Sequence, residues 1–117
     1  MTPEELKDRT KEFSLRVMRL VDALPKSTKG RALASQLIRS GTSVAANNRA
    51  VCRGRSRAEF IAKIGFVEEE ADETALWIEL VIANALLSKK KVQSLLGEAH
   101  ELAALWLPLT FPRRRSL

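Results

Sequence analysis

Residues 57–87 read RAEFIAKIGFVEEEADETALWIELVIANALL, and this stretch decides the fold. Phe60, Ile64, Val67, Ala71, Thr74, Ile78, Val81 and Ala85 recur at intervals of three and four along its whole length. That is the spacing of one face of an α-helix, and it leaves no room for the period of two that a strand requires. Ser56 precedes the run as an N-cap, and Glu59 stands in the first turn, where a carboxylate suits the positive end of the helix dipole.

Working outward, the same period appears on both sides. Upstream, residues 31–53 carry Leu33, Leu37, Gly41, Val44, Asn48 and Val51 on one seam, with Gly54 as the terminator. A second seam of small or polar side chains, Gln36, Ser40, Ser43 and Asn47, runs beside it. Ser40-Gly41-Thr42-Ser43 has poor intrinsic helix propensity, since Gly costs about 1 kcal/mol and Ser and Thr compete for backbone hydrogen bonds. Packing must hold it helical, and small residues on two seams admit two neighbouring helices at close range.

Further upstream, residues 3–24 form a first helix, with Thr2 as its cap and Pro3 at its first position. Leu6, Thr10, Phe13, Val17, Leu20 and Leu24 face inward, Arg9, Arg16 and Arg19 fall off that stripe, and Pro25 ends it. Lys26 to Gly30 reads as a polar loop. Downstream of a break at Leu87-Ser88, residues 89–107 place Val92, Leu95, Leu96, Ala99, Leu102, Ala103 and Trp106 inward until Pro108. Four helices on short connections favour antiparallel neighbours. The expected fold is therefore all-α, an up-down-up-down antiparallel four-helix bundle. It forms a single domain over residues 1–117, with a short basic tail from about 108.

The 117 residues carry a net charge of +6, arranged in blocks. Residues 1–57 hold 13 basic and 5 acidic residues, residues 58–87 hold 1 and 7, and residues 88–117 hold 6 and 2. If helices two and three form a hairpin about residues 54–56, positions summing to about 111 face each other and Arg39 meets Asp72 and Glu73. Arg39, Ser40, Ser43, Asn47, Asp72 and Glu73 are thus expected to form a structural polar network. The surplus positive charge is left to attract phosphate or another acidic partner.

Most chemistry finds no support. The single histidine, His100, has Gly97 three residues before it, so the Glu-x-x-His pairs of di-iron bundles are missing. No arginine precedes it at the spacing of helical toxin ribonucleases, and no Gly-rich phosphate loop is present. The lone Cys52 excludes an internal disulfide and reads as a small buried residue. The expectation is no catalytic residues, no metal and no cofactor. No apolar run approaches the roughly 20 residues of a membrane span. The N-terminus lacks a basic segment followed by an apolar one, so a cytoplasmic protein is expected.

Two blocks carry a resemblance. Gln36-Leu37-Ile38-Arg39-Ser40-Gly41-Thr42-Ser43-Val44-Ala45-Ala46-Asn47, with Glu70-Ala71-Asp72-Glu73-Thr74-Ala75-Leu76-Trp77, resembles the bacterial four-helix-bundle proteins labelled 23S rRNA intervening-sequence proteins. That family includes the accessory variability protein of diversity-generating retroelements. The resemblance spans nearly the whole chain. It implies a homo-oligomer, a ring of five protomers with a basic surface, and, by way of the retroelement relative, nucleic acid and a reverse transcriptase as partners. The residues themselves place the nucleic-acid contacts at Arg49, Arg53, Arg55 and Arg57, joined by Arg113, Arg114 and Arg115 of the tail. The competing class is a protein-interaction scaffold whose arginines stabilise the assembly without touching nucleic acid.

Overall fold

A computed structural model describes residues 1–105 of the chain. Four helices occupy them: α1 (Pro3–Ala23), α2 (Thr28–Cys52), α3 (Arg57–Ala83) and α4 (Lys89–Ala103). Each packs on its neighbours in an antiparallel circuit, α1 on α2, α2 on α3, α3 on α4, and α4 back on α1, where the contact is slightest. Trp106, Pro108 and the basic tail lie outside the described residues.

Local chemistry sets the starts. Thr2 Oγ1 accepts the Glu5 N–H at 3.0 Å, with Pro3 at the first helical position. Ser56 Oγ accepts the Glu59 N–H at 3.1 Å. α2 begins earlier than its apolar spacing indicates, because Ser27 Oγ accepts the Gly30 N–H at 3.1 Å and so turns Thr28 to Gly30 into the first turn of the helix. At the other end Arg53 is the cap residue, and Gly54 has no left-handed backbone.

α3 stops short of Ala85, which takes a left-handed φ of 54°. The Leu86 N–H donates to Val81 O and the Ala85 N–H to Ile82 O. Those two bonds make a Schellman closure, the usual way to satisfy orphan carbonyls at a helix end, built here without glycine.

The core follows the three-four seams. Phe13 and Val17 of α1, Leu37 and Val44 of α2, Val67 and Ile78 of α3, and Ala99 and Leu102 of α4 are all but fully buried. Apart from the small Ala99, burying side chains of this size is worth about 1.5–3 kcal/mol each. The expected ends of the α3 seam fall outside this core. Phe60 sits in the first turn, beyond the cover of neighbouring helices, and is exposed, as is Ala85 past the helix end. Cys52 is exposed rather than buried: it lies one residue past Val51, hence about 100° off the buried seam.

The two small-residue seams meet two different helices. Gly41 packs on α1, where an added Cβ would lie 2.6 Å from Val17 Cγ1, and its carbonyl accepts a buried 2.7 Å hydrogen bond from Ser14 Oγ. Ser40 turns to α3, where its hydroxyl and that of Thr74 are hydrogen-bonded at 2.8 Å, both fully buried. Asn48 is also fully buried, yet neither atom of its amide has a partner among the described residues.

Candidate nucleic-acid interface

Arg49 stands in the last turn of α2, Arg53 caps that helix, Arg55 lies in the connection and Arg57 opens α3. All four are exposed. They occupy one corner of the bundle because the α2–α3 connection is only four residues long, which keeps the end of one helix beside the start of the next. No described carboxylate pairs with any of them. The acid nearest in sequence, Glu59, is already engaged: it accepts from Lys63 Nζ at 2.9 Å and from the Arg55 backbone N–H at 3.4 Å. The Lys63 hydrogen bond, with the Arg55 N–H behind it, holds the Glu59 carboxyl below its ordinary pKa. The corner therefore presents four unneutralised guanidinium groups, each a five-donor fork suited to phosphate oxygens. Arg113, Arg114 and Arg115 lie outside the described residues.

Part of the charge elsewhere is answered internally. The Arg39 guanidinium bonds Glu73 and approaches Glu70 at 3.6 Å. Asp72, expected opposite Arg39, is instead exposed and makes no ion pair among the described residues. The reason is helical phase. Glu70 and Glu73 are three apart and share the α2-facing flank, whereas Asp72 is turned about 100° from Glu73 toward solvent. The hairpin register also differs from the sum rule: Arg39 pairs with Glu73 and Ser40 with Thr74, one to three positions further along α3 than expected. In the remaining acidic run Glu68 is buried and engaged. Ser43 Oγ and Asn47 Nδ2 turn back to carbonyls four residues earlier in α2, at 2.7 and 2.8 Å. They thus join no inter-helix network, and of the small polar seam only Ser40 is spent on α3.

The sequence reading missed the tie between α1 and α4. Arg9 clasps Glu98 with two bonds, at 2.6 and 2.7 Å, and reaches Glu101 at 2.8 Å. Its guanidinium is held still more firmly protonated than usual, chiefly by Glu98. The signal was present in a weak form: Arg9 falls off the apolar stripe, and Glu98 and Glu101 are three apart on α4. His100 is exposed, with Nε2 3.5 Å from Glu79 Oε2. Among the described residues no group of three or more His, Cys, Asp or Glu side chains is placed to hold a metal ion, and no helix is long and apolar enough to cross a membrane.

The family model described as 23S rRNA-intervening sequence protein matches residues 5–106. The chain belongs to this family. A solved structure described as a protein with unknown function from the S23 ribosomal protein family, from Bacteroides thetaiotaomicron VPI-5482, is similar at 33% sequence identity. The likeness covers 89% of this chain and 96% of that one, with a TM-score of 0.80. No curated protein matches the chain. The 23S rRNA-intervening sequence match takes in the whole α2–α3 corner and ends before Arg113.

Proposed function

We propose that this chain is a non-enzymatic, self-assembling accessory protein that holds nucleic acid by its phosphates at the α2–α3 corner. The observation that carries the reading is the set Arg49, Arg53, Arg55 and Arg57, exposed together and without a carboxylate partner among the described residues. Assembly would repeat the corner around a ring, five times in the form the family resemblance implies, and multivalency raises weak single contacts to useful affinity. A nucleic-acid enzyme such as a reverse transcriptase is the protein partner this reading favours.

Phosphate contacts carry no sequence information, and with aromatic residues at 5% there is little ring surface on which bases can stack. Sequence preference should be weak and salt dependence strong. For duplex DNA, log K falls with log salt at a slope of about −0.9 per neutralised phosphate, so four contacts per protomer give about −3.6. Replacing Arg53, Arg55 and Arg57 with Ala should bring that to about −0.9. Binding to unrelated RNA and DNA, titrated with salt for both proteins, is the test. No binding at low salt, or a slope unchanged by the triple replacement, would refute the reading.

The scaffold alternative rests on exposed apolar side chains, Phe66 at 51% and Leu76 at 45% on α3. It predicts association without salt-sensitive nucleic-acid binding. Light scattering checks assembly in either case: 13.1 kDa marks a lone chain, and about five times that the ring.

A further inference from the structure

The slight contact between α1 and α4 leaves a cleft of about 280 Å³ at the end of the bundle away from the Arg9 tie. Leu20, Ala23, Val92 and Leu95 line it with apolar surface, and Arg16, Arg19 and Lys91 stand around it. The cleft stays open for two reasons. Ala23 contributes only a methyl group, and the ion pairs that draw the two helices together are made further along, at Glu98 and Glu101.

Its charge is one-sided. Arg19 shares an exposed 3.2 Å pair with Glu12. Among the described residues Arg16 donates only to the neutral Ser94 hydroxyl, at 3.0 Å. Lys91 has no carboxylate partner among the described residues, and the first turn of α4 contains no acidic residue. An inorganic anion would answer the cations but leave the apolar walls wet. A neutral apolar molecule would do the reverse. The chemistry that satisfies both is a charged head on an apolar body.

We propose that this cleft binds a small amphiphilic anion, a single carboxylate, sulfonate or phosphate head on a medium-length alkyl chain or one ring system. Arg16 and Lys91 receive the head, and Leu20, Val92 and Leu95 cover the body. The volume sits at the lower limit of small-molecule pockets, about 300 Å³, which favours one short chain or ring over a two-chain lipid. This site lies on the α1–α4 flank and is independent of the α2–α3 corner.

The test is calorimetric titration of the full chain with decanoate, kept below its micelle concentration, and with 2-naphthoate to distinguish an alkyl from an aromatic body. Decanol and acetate serve as matched controls, one lacking the charge and the other the body. We expect saturable binding of one or both amphiphiles, one per chain, with each control at least tenfold weaker. Since a hydrogen bond to a charged group is worth tenfold or more, Arg16→Gln with Lys91→Gln should weaken binding by at least about tenfold. Ala23→Leu should block it by filling the cleft from its exposed rim, and the double variant keeps the test decisive if that change disturbs folding. Equal binding of decanol, full competition by acetate, indifference to the double variant, or the absence of saturable binding would each overturn the proposal.

Discussion

Gly41→Ala sets two effects of opposite sign against each other. Alanine is the better helix former by about 1 kcal/mol, so in an exposed stretch of α2 the change would stabilise the protein. At Gly41, however, the new Cβ would lie 2.6 Å from Val17 Cγ1, 3.0 Å from Val17 Cβ and 3.1 Å from Val17 Cγ2. Carbon atoms prefer about 3.5–4.0 Å, and Val17 is completely buried and stiff at χ1. Relief requires α1 and α2 to separate by about 1 Å. That would stretch the buried 2.7 Å Ser14–Gly41 bond past useful length and forfeit about 1 kcal/mol. Overpacking costs about 1–3 kcal/mol, so the close approach wins and the variant should be less stable by about 1–3 kcal/mol. Urea unfolding followed by far-UV circular dichroism at fixed protein concentration measures this, with an unchanged m-value confirming that stability alone has moved. Repeating Gly41→Ala in a Val17→Ala background removes the clashing methyls. There only the 3.0 Å approach to the Cβ of residue 17 remains, so most of the cost should go and the propensity gain of about 1 kcal/mol should offset what is left, a non-additivity of about 1–3 kcal/mol. If Gly41→Ala is neutral or stabilising in the wild-type background, the helices are not as close as this account requires.

The ion pairs should rank by burial. Arg9→Ala, which leaves Glu98 facing a part-buried gap, should cost about 1–3 kcal/mol, whereas Arg39→Ala, whose side chain is half exposed, should cost about 1 kcal/mol or less and Asp72→Ala nothing measurable; thermal unfolding of the three variants gives the order. Ala85→Gly should raise stability by about 1 kcal/mol, because the residue closes α3 with a left-handed backbone, and a lower melting temperature would contradict the Schellman geometry. The Glu59 carboxyl, titrated by NMR, should show a midpoint below the ordinary value near 4.3 and return upward in Lys63→Met. Its folded pKa is depressed, so its contribution to stability is present above the unfolded pKa and is lost as pH falls through the folded one.

The fold was legible because burial writes a period into the sequence. Every member of the α2 seam from Leu33 to Val51 is buried, and even the poor helix formers Ser40 and Gly41 mark where α3 and α1 come closest. What failed did so at ends and phases. The Ser27 cap acts through a hydroxyl on a single backbone N–H and leaves no periodic trace. The α3 seam continues in sequence through Ala85, although the backbone has already turned. Of the two acids expected opposite Arg39, Glu73 is its partner and Asp72 is not, because a linear register cannot express helical phase, which sends Asp72 outward between Glu70 and Glu73.

Charge was legible in amount and sign but not in placement, and placement is what decides function. The basic, acidic and basic blocks look as though they should cancel by lying side by side, and in part they do, through Arg39 with Glu70 and Glu73. Yet Arg9 takes its acids from α4, a block that is basic overall, and much of the α3 acidity is spent on Arg39 and Lys63. Among the described residues Lys7, Lys11, Lys26, Lys29, Arg31, Lys89 and Lys90 also lack a carboxylate partner, and two groups of unpaired cations stand in settings of different shape, the α2–α3 corner and the α1–α4 cleft. They differ in one physical respect. The corner offers charge on an open surface and suits an extended polyanion. The cleft offers charge above an apolar floor and suits a molecule small enough to enter. Under the two proposals, salt should weaken binding at the corner far more than binding in the cleft, since burial of an apolar body does not depend on counterion release.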